Sequence, residues 1–532
     1  MAKRKLISAE LDYDEDHSPK RARPSVVDRL SSLSDELLLR ILSHLELSEL
    51  NASRTISHKF NRLAGDSHLW KALYYDRFVR PRVARLPGID PYSANLNFSS
   101  RFSKWPEDKT LMKSEGEKNW KFEYKKRHNW SKGTCDVSEI EVAERPPIPP
   151  LLVCLHEGVV YTADSISGLR AWSSKKERKL LGSMQFPNVP ETSPTALAVD
   201  VNGPSERYQR VVVGFDDGSF TVVEFALDSQ SFLSAYSHTP SSEEMISAAA
   251  CCSSYLITMT ATQLISLYMF TNQSKDGQHE IALDAPKLLY ALKSHSVLPP
   301  LALGIRVTAK FIFATLAFST PAFQAGWSVS VQEMRMTLEG TLLDSRMVTS
   351  TPNQPLLSSS LPSSLRPSRA SSPFLTSSFS AAAPCFTKPT SISYSHPYLL
   401  LSHPDNTLTL YLLTSTPEAL SINSGNRLWG HTSGVAGAHI ESRGKAVSIS
   451  RRGDEVRIWD LEGTTNRKVP ESTMMSVKIQ PEKRGRTTTK FSTDSLEDIT
   501  VVRGWVGFDD ENVVVLKERN LGSQALVVYD FT

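Results

Sequence analysis

This sequence of 532 residues lacks both the C-x-x-C spacing of cysteines and a long uninterrupted apolar run. Its five cysteines form no C-x-x-C pair, which disfavours a disulfide framework and a zinc site built on paired thiolates. The most apolar stretch, residues 298–323, contains Arg306, Lys310 and several prolines, so it predicts strands and turns and no membrane span. The N-terminal residues lack the apolar core of a secretory signal. These absences predict a protein of a reducing compartment, in the nucleus, the cytoplasm or both, with no membrane partner.

Catalytic signatures are absent as well. The sequence has no G-x-x-x-x-G-K phosphate loop, no G-x-S-x-G elbow and no H-E-x-x-H metal motif. The pair Cys251 and Cys252 lies in a run typical of a strand, where thiols more often pack than react. We therefore predict a protein that is not an enzyme, with no catalytic residue, no cofactor and no metal.

Neither sign of charge dominates. The 60 basic and 57 acidic residues leave a net charge of +3, which disfavours a protein whose main task is to hold a nucleic acid. Residues 1–29 form a tail with basic clusters at residues 3–5 and 20–23 around an acidic middle. This pattern fits either a bipartite nuclear import signal or a solvated tail with no role, and the sequence leaves both open.

Residues 30–78 predict three short amphipathic helices. Ser34 is a candidate cap for the first, whose first turn carries Asp35 and Glu36 next to the positive end of the helix. Ser48 is the candidate cap of a second helix, which the four-residue spacing of its apolar positions extends to Gly65. Those positions are Ala52, Ile56, Phe60 and Leu63. A third helix opens at Asp66 or Ser67. Three helices in about fifty residues make a marginal core, and the first has more apolar surface than two short neighbours can cover, which indicates a partner.

The order L-x-x-E-L-L-x-x-I-L-x-x-L, a second amphipathic helix and then L-W-x-x-L resembles an F-box. The resemblance implies that this region binds a Skp-type adaptor, which links it to a cullin and a RING subunit. It implies that seven residues either contact the adaptor or lie directly beneath the contacting residues: Leu33, Leu37, Leu38, Ile41, Leu42, Leu45 and Leu50. It assigns Phe60, Trp70 and Leu73 to the F-box core. The sequence departs from the family in having Ser34 where proline is usual, and Phe60 where a cysteine-and-tryptophan pattern is common. The alternative is that the leucines are only the core of a helical domain.

Residues 79–133 predict a linker that ends in a basic, aromatic helix. Trp120 and Tyr124, one helical turn apart among lysines, fit either nucleic-acid binding or packing on a neighbouring domain, and we favour packing. The stretch resembles the link in F-box/WD-repeat proteins, where N-W-x-x-G precedes the propeller. Asn129, Trp130 and Gly133 occupy that pattern here.

Residues 134–532 predict a β-propeller, because short β-rich runs alternate with turns throughout. Several runs follow a turn signal such as Asp216-Asp217-Gly218. We interpret seven runs as the third strands of successive sheets: residues 168–172, 219–225, 264–270, 327–334, 407–413, 455–461 and 525–531. The fold class predicted for the whole chain is therefore α+β multidomain, with a three-helix F-box followed by an all-β propeller of seven WD-type blades.

Residues 429–463 form the clearest repeat. Gly430-His431 and Trp459-Asp460 resemble the WD-repeat signature, in which a turn aspartate fixes the histidine and, through it, a hydroxyl and the tryptophan. Asp454 lies one position away from the place of the aspartate in the signature, so the hydrogen-bond chain is expected to be incomplete. In the preceding repeat, Asp405 lies six residues before Tyr411, which is where the signature places its turn aspartate.

Two insertions and a closing strand complete the prediction. Residues 349–390 are rich in Ser, Pro and Thr and predict a disordered insertion, and residues 472–492 predict a shorter basic loop. The last predicted third strand has no fourth strand after it, so residues 135–144 are expected to pair with it and close the ring.

The resemblance implies the substrate-recognition subunit of a Skp–cullin–F-box ubiquitin ligase, with the propeller binding a protein cargo for degradation. Two alternatives remain: an F-box scaffold that works without a cullin, and a nucleic-acid-associated propeller. The cargo, its phosphorylation state and the surface that binds it are not identified by the sequence.

Overall fold

The computed structural model describes residues 29–30, 32–80, 119–175, 178–186, 192–200, 207–239, 244–270, 283–294, 297–322, 326–350, 387–441, 444–461, 476–481, 501–519 and 522–532. The chain divides into two compact units, Met1–Pro81 with Tyr92–Lys121 and Arg82–Pro91 with Phe122–Thr532. The basic tail (except Arg29) and residues 351–386 of the predicted insertion lie outside the described residues.

Within its described residues up to Arg80, the first unit contains four short α-helices and a π-helical turn. They are α1 (Asp35–Leu42), α2 (Leu47–Ser53), α3 (His58–Leu63), α4 (Ser67–Tyr74) and the π-helical turn Tyr75–Val79. The predicted second helix is therefore wrong as a single element, because residues 54–57 form a turn that divides it into α2 and α3. Helix α2 ends at Ser53, and Ser57 begins α3: its backbone is extended, and its hydroxyl accepts a hydrogen bond from the Phe60 amide.

The caps of these helices differ in part from the prediction. Ser34 occupies the N-cap of α1, but its side chain makes no capping hydrogen bond. Glu46, and not Ser48, caps α2, through a capping box in which the Glu49 carboxylate accepts from the Glu46 amide at 3.1 Å. Asp66 caps α4 as predicted, with its carboxylate accepting from the His68 amide at 2.9 Å.

The described part of the second unit begins in helix α5 (Trp120–Lys132), whose residues from Phe122 onward belong to this unit, and it continues with thirty strands. The strands are β1 (Thr134–Ala143), β2 (Leu152–His156), β3 (Val159–Asp164), β4 (Gly168–Ser173), β5 (Leu180–Met184), β6 (Pro194–Val199), β7 (Tyr208–Phe215), β8 (Phe220–Ala226), β9 (Ser231–His238), β10 (Ile246–Cys252), β11 (Tyr255–Thr260), β12 (Leu264–Met269), β13 (Lys287–Lys293), β14 (Leu298–Val307), β15 (Phe311–Ala322), β16 (Gly326–Thr337), β17 (Leu342–Thr349), β18 (Ser391–Ser395), β19 (Tyr398–Ser402), β20 (Thr407–Ser415), β21 (Leu420–Ile422), β22 (Asn426–Trp429), β23 (Val435–Ile440), β24 (Lys445–Ser450), β25 (Val456–Asp460), β26 (Ser476–Lys478), β27 (Gln480–Pro481), β28 (Val501–Phe508), β29 (Asn512–Glu518) and β30 (Gln524–Asp530).

These strands form seven sheets, which are the blades of a propeller. Blades 1 to 4 are β2–β5, β6–β9, β10–β13 and β14–β17; blade 5 is β18–β22, in which β21 and β22 both pair with β20; blade 6 is β23–β26; and blade 7 combines β28, β29 and β30 with β1 and β27. All seven runs predicted as third strands occupy the third position of their sheets. The predicted fold, a few N-terminal helices followed by a seven-bladed propeller, is confirmed.

Blade 7 joins the first and last strands of the propeller. Strand β1 pairs antiparallel with β30, from Asp136 opposite Asp530 to Ala143 opposite Gln524. The predicted closing strand is confirmed by this register. Beside β1, the short strand β27 runs parallel to it, and the Gln480 amide donates to the Gly133 carbonyl at 2.7 Å. The predicted basic loop 472–492 is therefore wrong for residues 476–481, which form β26 and β27.

The core lies between the blades. The second and third strands are covered on both sides, as in β3 and β8, where every residue is buried. Each of the seven boundaries between neighbouring blades holds its own cluster of buried apolar side chains, including the boundary of blades 7 and 1, where Ile140 and Val142 of β1 pack. Outer strands such as β17 alternate between half-buried and exposed residues, as expected where one side of a strand faces water.

The alternating strand directions define two faces of the propeller. The turns from second to third strand open on the same side as the connections from one blade to the next, and we call this side the upper face. The turns from first to second and from third to fourth strand open on the opposite, lower face. Residues with positive φ form several upper-face turns, including Gly218 (φ 83°), Asn406 (φ 66°) and Gly453 (φ 73°).

Candidate functional site

The apolar residues of α1 divide into an exposed pair and a buried set. Leu37 and Ile41 are 52% and 46% exposed, and their spacing of four residues places them on one side of the helix. Leu38, Leu42 and Leu50 are nearly fully buried, while Leu33 and Leu45 are half-buried. Of the seven residues predicted to face or support an adaptor, Leu37 and Ile41 are thus exposed, three are buried and two are half-buried.

Two further apolar side chains of this unit are exposed. Leu30, before α1, is 53% exposed, and Ile56, in the turn between α2 and α3, is 68% exposed. The sequence pattern had assigned Ile56 to the buried side of a longer helix, and this assignment is wrong because the helix ends before it. Four exposed large hydrophobic residues in a unit this small make an apolar surface that favours a partner.

Residues of α3 hold the beginning of α1 in place. The Lys59 ammonium group donates to the Leu33 carbonyl at 2.8 Å and lies 3.4 Å from the Asp35 carboxylate. The Arg62 guanidinium pairs with the same carboxylate at 2.6 Å. These contacts fix the start of α1 where the Ser34 hydroxyl makes no bond, so the exposed pair Leu37 and Ile41 is presented on an anchored helix.

Two of the three predicted core residues of this unit are buried. Phe60 and Trp70 are 7% and 3% exposed, and the Trp70 indole N–H donates to the Ala64 carbonyl at 2.8 Å. Leu73 is only half-buried. Leu63, Leu69 and Tyr74, which lie on the apolar sides of the predicted helices, are buried as well, and the sequence did not identify two further buried residues, Tyr75 and Val79.

The first residues of α5 pack on α4 and complete the first unit. The Trp120 ring contacts the Tyr74 ring edge-on, with centroids 5.6 Å apart, and the Lys71 ammonium group lies 5.3 Å from the Trp120 centroid. The Lys121 ammonium group lies in turn 5.4 Å from the Trp70 centroid. Burial, together with the charge of Arg54, lowers the pKa of Lys121. The favoured packing of Trp120 on a neighbouring element is observed, but the sequence did not identify α4 as its partner, because no local pattern joins residues 120–121 to that helix.

The end of α5 packs on the lower face of the propeller. The Asn129 amide donates to the Phe531 carbonyl at 3.0 Å, and the Trp130 indole N–H donates to the Asp510 carbonyl at 3.1 Å. The Trp130 ring stacks on Phe531 with centroids 4.2 Å apart. Gly133 has a φ of 72°, and a Cβ there would lie 2.5 Å from the Lys478 carbonyl oxygen. The Asn129, Trp130 and Gly133 motif therefore attaches the end of α5 to blade 7 by stacking and backbone hydrogen bonds.

Blade 6 contains a buried hydrogen-bond chain. The Trp459 indole N–H donates to the Ser448 hydroxyl at 2.8 Å, and that hydroxyl lies 2.6 Å from His431 Nε2. The hydroxyl proton therefore goes to Nε2, which leaves the proton of the neutral ring on Nδ1, 3.5 Å from the Glu455 carboxylate. Burial lowers the pKa of His431 to about 4, so the ring is neutral at pH 7.

Glu455, and not Asp454, is the acidic residue that lies beside His431. Burial alone would raise the pKa of Glu455, but hydrogen bonds from Thr432 and Arg457 lower it to about 2. Asp454 accepts instead from the Ser450 hydroxyl at 2.6 Å. The tryptophan, hydroxyl and histidine are therefore connected, but His431 Nδ1 makes no hydrogen bond within the described residues, so the chain is incomplete at its acidic end, as expected.

The other two predicted propeller residues have local roles. Asp460 is exposed at the end of β25. Asp405 accepts from the Thr407 hydroxyl at 2.6 Å and pairs with Arg427, so it fixes a turn and an arginine. In the same blade, His403 Nε2 lies 2.8 Å from the Thr409 hydroxyl.

The described part of the chain offers no set of three His, Cys, Asp or Glu side chains arranged to hold a metal ion. Its helices are also too short or too polar for any of them to cross a membrane.

Comparison with known proteins adds sequence and structural relatives. Residues 30–76 match an F-box-like family, and residues 135–532 match the β-propeller of the F-box protein pof12 family. The chain is 38% identical over 79 residues to the F-box protein pof12 of Schizosaccharomyces pombe, a match that covers 15% of this chain and 18% of that protein. The chain therefore matches less than a fifth of the length of this relative.

Solved structures of WD40 propellers are also similar. The C-terminal WD40 domain of Sif2 is 9% identical with a TM-score of 0.40, and the match covers 74% of this chain and 99% of that one. Saccharomyces cerevisiae Sqt1 is 10% identical with a TM-score of 0.36, over 74% of this chain and 97% of that one.

Proposed function

The chain belongs to the F-box protein pof12 β-propeller family, and from this premise we propose that it is a substrate-recognition subunit of a Skp–cullin–F-box ubiquitin ligase. The first unit binds the Skp-type adaptor, and the propeller binds a protein cargo that is then ubiquitinated and degraded. The observation that carries the proposal is the exposed pair Leu37 and Ile41 on α1, within an F-box-like sequence.

The energetics of α1 support a partner on this face. Leu37 and Ile41 each leave about half of their side chain in water, and burying such a side chain fully contributes roughly 1.5–3 kcal/mol. Lys59 and Arg62 hold the start of α1 in place, so the helix that carries this apolar pair is already ordered before a partner binds. This lowers the entropic cost of association.

The role we propose is non-catalytic. A chain that binds an adaptor through one unit and a cargo through the other raises the local concentration of the cargo near the charged ubiquitin carrier. The transfer chemistry then belongs to the other subunits of the ligase, and this protein needs no nucleophile of its own.

Adaptor binding is tested by the double substitution Leu37→Asp, Ile41→Asp in the full-length chain. Both side chains are about half exposed, so the charges are tolerated by the fold but not by an apolar interface, and adaptor recovery should fall at least tenfold. Leu38 is unsuitable for this purpose, because it is fully buried and a charge there unfolds the unit. The matched control is Leu343→Asp, Met347→Asp on β17, where both side chains are similarly exposed.

Adaptor recovered equally with both double variants would overturn the proposal for α1. Cullin recovery with the intact chain separates the ligase from the alternative scaffold: adaptor without cullin supports the scaffold, and both together support the ligase.

A further inference from the structure

The turn between β20 and β21, at the lower face of blade 5, carries a threonine followed by a proline. All four residues of the turn, Thr416, Pro417, Glu418 and Ala419, are exposed. The Ala419 amide donates to the Thr416 hydroxyl at 3.0 Å, and the hydroxyl donates to the Ala419 carbonyl at 3.1 Å. The threonine hydroxyl is therefore held at the surface, directly before a residue that has a fixed φ and no amide N–H.

Other Ser-Pro and Thr-Pro pairs in the described part of the chain are less accessible. Ser193 is half-buried, and Pro194 after it is buried at the start of β6. Thr320 is half-buried within β15, where it pairs with Ser328 of the next strand. Of the pairs that the structure describes in full, Thr416-Pro417 is thus the one that lies in an exposed turn.

Two arginines of blade 4 contact the backbone of this turn. The Arg346 guanidinium donates to the Thr416 carbonyl at 2.7 Å, and the Arg335 guanidinium donates to the Pro417 carbonyl at 3.3 Å. Covalent geometry keeps a threonine hydroxyl within about 4 Å of the carbonyl oxygen of its own residue. A group attached to the Thr416 hydroxyl is therefore within reach of these cations.

The two arginines differ in how their charge is balanced. Arg346 already pairs with Glu333 at 2.9 Å and with Asp344 at 3.1 Å. Arg335 forms no ion pair among the described residues, and its Nε is buried without a hydrogen-bond partner. Its guanidinium lies 5.6 Å from the centroid of the Phe311 ring. Arg335 therefore has both the charge and the free donors to accept an anion beside the turn.

We propose that Thr416 is a phosphorylation site for a protein kinase that selects proline after the acceptor residue, and that Arg335 binds the phosphate. The kinase transfers the γ-phosphoryl group of ATP. A bond forms between Thr416 Oγ and phosphorus, and the bond from phosphorus to the β,γ-bridging oxygen breaks. ADP leaves with that oxygen, and a base of the kinase takes the hydroxyl proton.

The phosphate connects blades 4 and 5 at their outer strands. It adds a charge of about −1.5 to −2 and three acceptor oxygens to the turn of blade 5, opposite Arg335 on β16 of blade 4. Charge-assisted hydrogen bonds across this boundary make opening of β17 and β21 rarer. The repulsion from Glu418 acts through water, because that side chain is exposed, and salt screens it.

The first test is phosphorylation of the full-length chain with ATP and purified cyclin-dependent and mitogen-activated kinases, which select Ser-Pro and Thr-Pro. Mass spectrometry of the peptides measures each site separately. We expect Thr416 to be modified at least about tenfold faster than Ser193, because the buried Pro194 must first be exposed by local opening. No phosphate on Thr416, or equal rates at the two sites, would overturn the assignment of the site.

The second test measures the role of Arg335. Phosphothreonine is installed at position 416 of the full-length chain by genetic code expansion, and hydrogen exchange is followed in β17 and β21. Exchange should slow by about tenfold, the effect of one charge-assisted hydrogen bond. Arg335→Gln should abolish this slowing, whereas the matched control Arg452→Gln, at an exposed arginine of blade 6, should preserve it.

Unchanged exchange on phosphorylation, or slowing that persists in Arg335→Gln, would overturn Arg335 as the phosphate-binding residue. These results are independent of adaptor recovery, which tests the proposed function alone.

Discussion

The hydroxyl of Ser448 is the single atom that joins Trp459 to His431 in blade 6. Replacing it with hydrogen leaves the indole N–H and the imidazole nitrogen buried without a partner. We expect Ser448→Ala to lower the free energy of unfolding of the propeller by about 1–3 kcal/mol, the usual cost of unsatisfied buried polar groups. Urea titration followed by circular dichroism measures the loss.

The control for this substitution is Ser421→Ala, which removes an exposed hydroxyl from β21 and should leave the urea midpoint unchanged. An equal midpoint for both variants would show that the buried chain contributes nothing to stability.

Two buried histidines predict how stability depends on pH. Burial lowers the pKa of His403 and of His431 to about 4, from an ordinary value of 6.5. Between these values the unfolded chain takes up protons and the folded chain does not, so stability is lost as the pH falls from 6.5 to 4. Each histidine contributes on the order of 2–3 kcal/mol to this loss.

The measurement is the urea midpoint at several pH values from 7 to 4.5, a range that lies above the titration of most carboxylates. His431→Gln cannot titrate, so its midpoint should fall less steeply over this range. Parallel curves for the variant and the wild-type chain would contradict the assignment of a neutral, buried ring.

At the scale of elements, β1 is the strand on which the propeller depends. It pairs with β30 along its length, and its Ile140 and Val142 fill the boundary between blades 7 and 1. Deleting residues 134–143 uncovers the edge of β30 and this apolar cluster together, so we expect the full-length chain to aggregate on expression. Size-exclusion chromatography with light scattering detects the aggregate.

A single substitution in β1 serves as the control for this deletion, because it changes the surface of the strand and leaves its pairing and its buried residues in place. Glu139 of β1 pairs with Arg519, and Glu139→Gln removes that surface ion pair while keeping the strand. This variant should remain a monomer, because exposed pairs contribute little. A soluble, cooperatively folded deletion variant would show that β1 does not close the ring.

The elements also show what the sequence could and could not predict. All seven third strands were predicted, because each is an apolar run that follows a turn and is buried on both sides. Helices α2 and α3 were merged, because a four-residue apolar spacing continues across residues 54–57 and the Ser57 cap was not weighed against it. The sequence did not identify Glu455 as the acidic residue beside His431, since a one-position shift within a turn depends on backbone geometry that sequence spacing does not specify.

At the scale of the whole molecule, long-range packing was the hardest feature to predict. Strand β1 was placed correctly because the missing fourth strand of the last sheet required it. The contact of Trp120 with Tyr74 had no such requirement, and the residues between them are breaker-rich and without periodicity. The sequence did not predict the exposure of Trp429 either, because a tryptophan that ends a strand is more often buried.

The closure of blade 7 also has a consequence for synthesis on the ribosome. Glu139 and Arg519, paired across this blade, are 380 positions apart in the chain. At about 5–20 residues per second, β1 therefore waits roughly 20–80 seconds for the strand that covers it. During that time the helical unit has already left the exit tunnel with Leu37 and Ile41 exposed. An adaptor present in the cell would meet this nascent helix before any cargo surface exists, so assembly with the adaptor is expected to precede completion of the propeller.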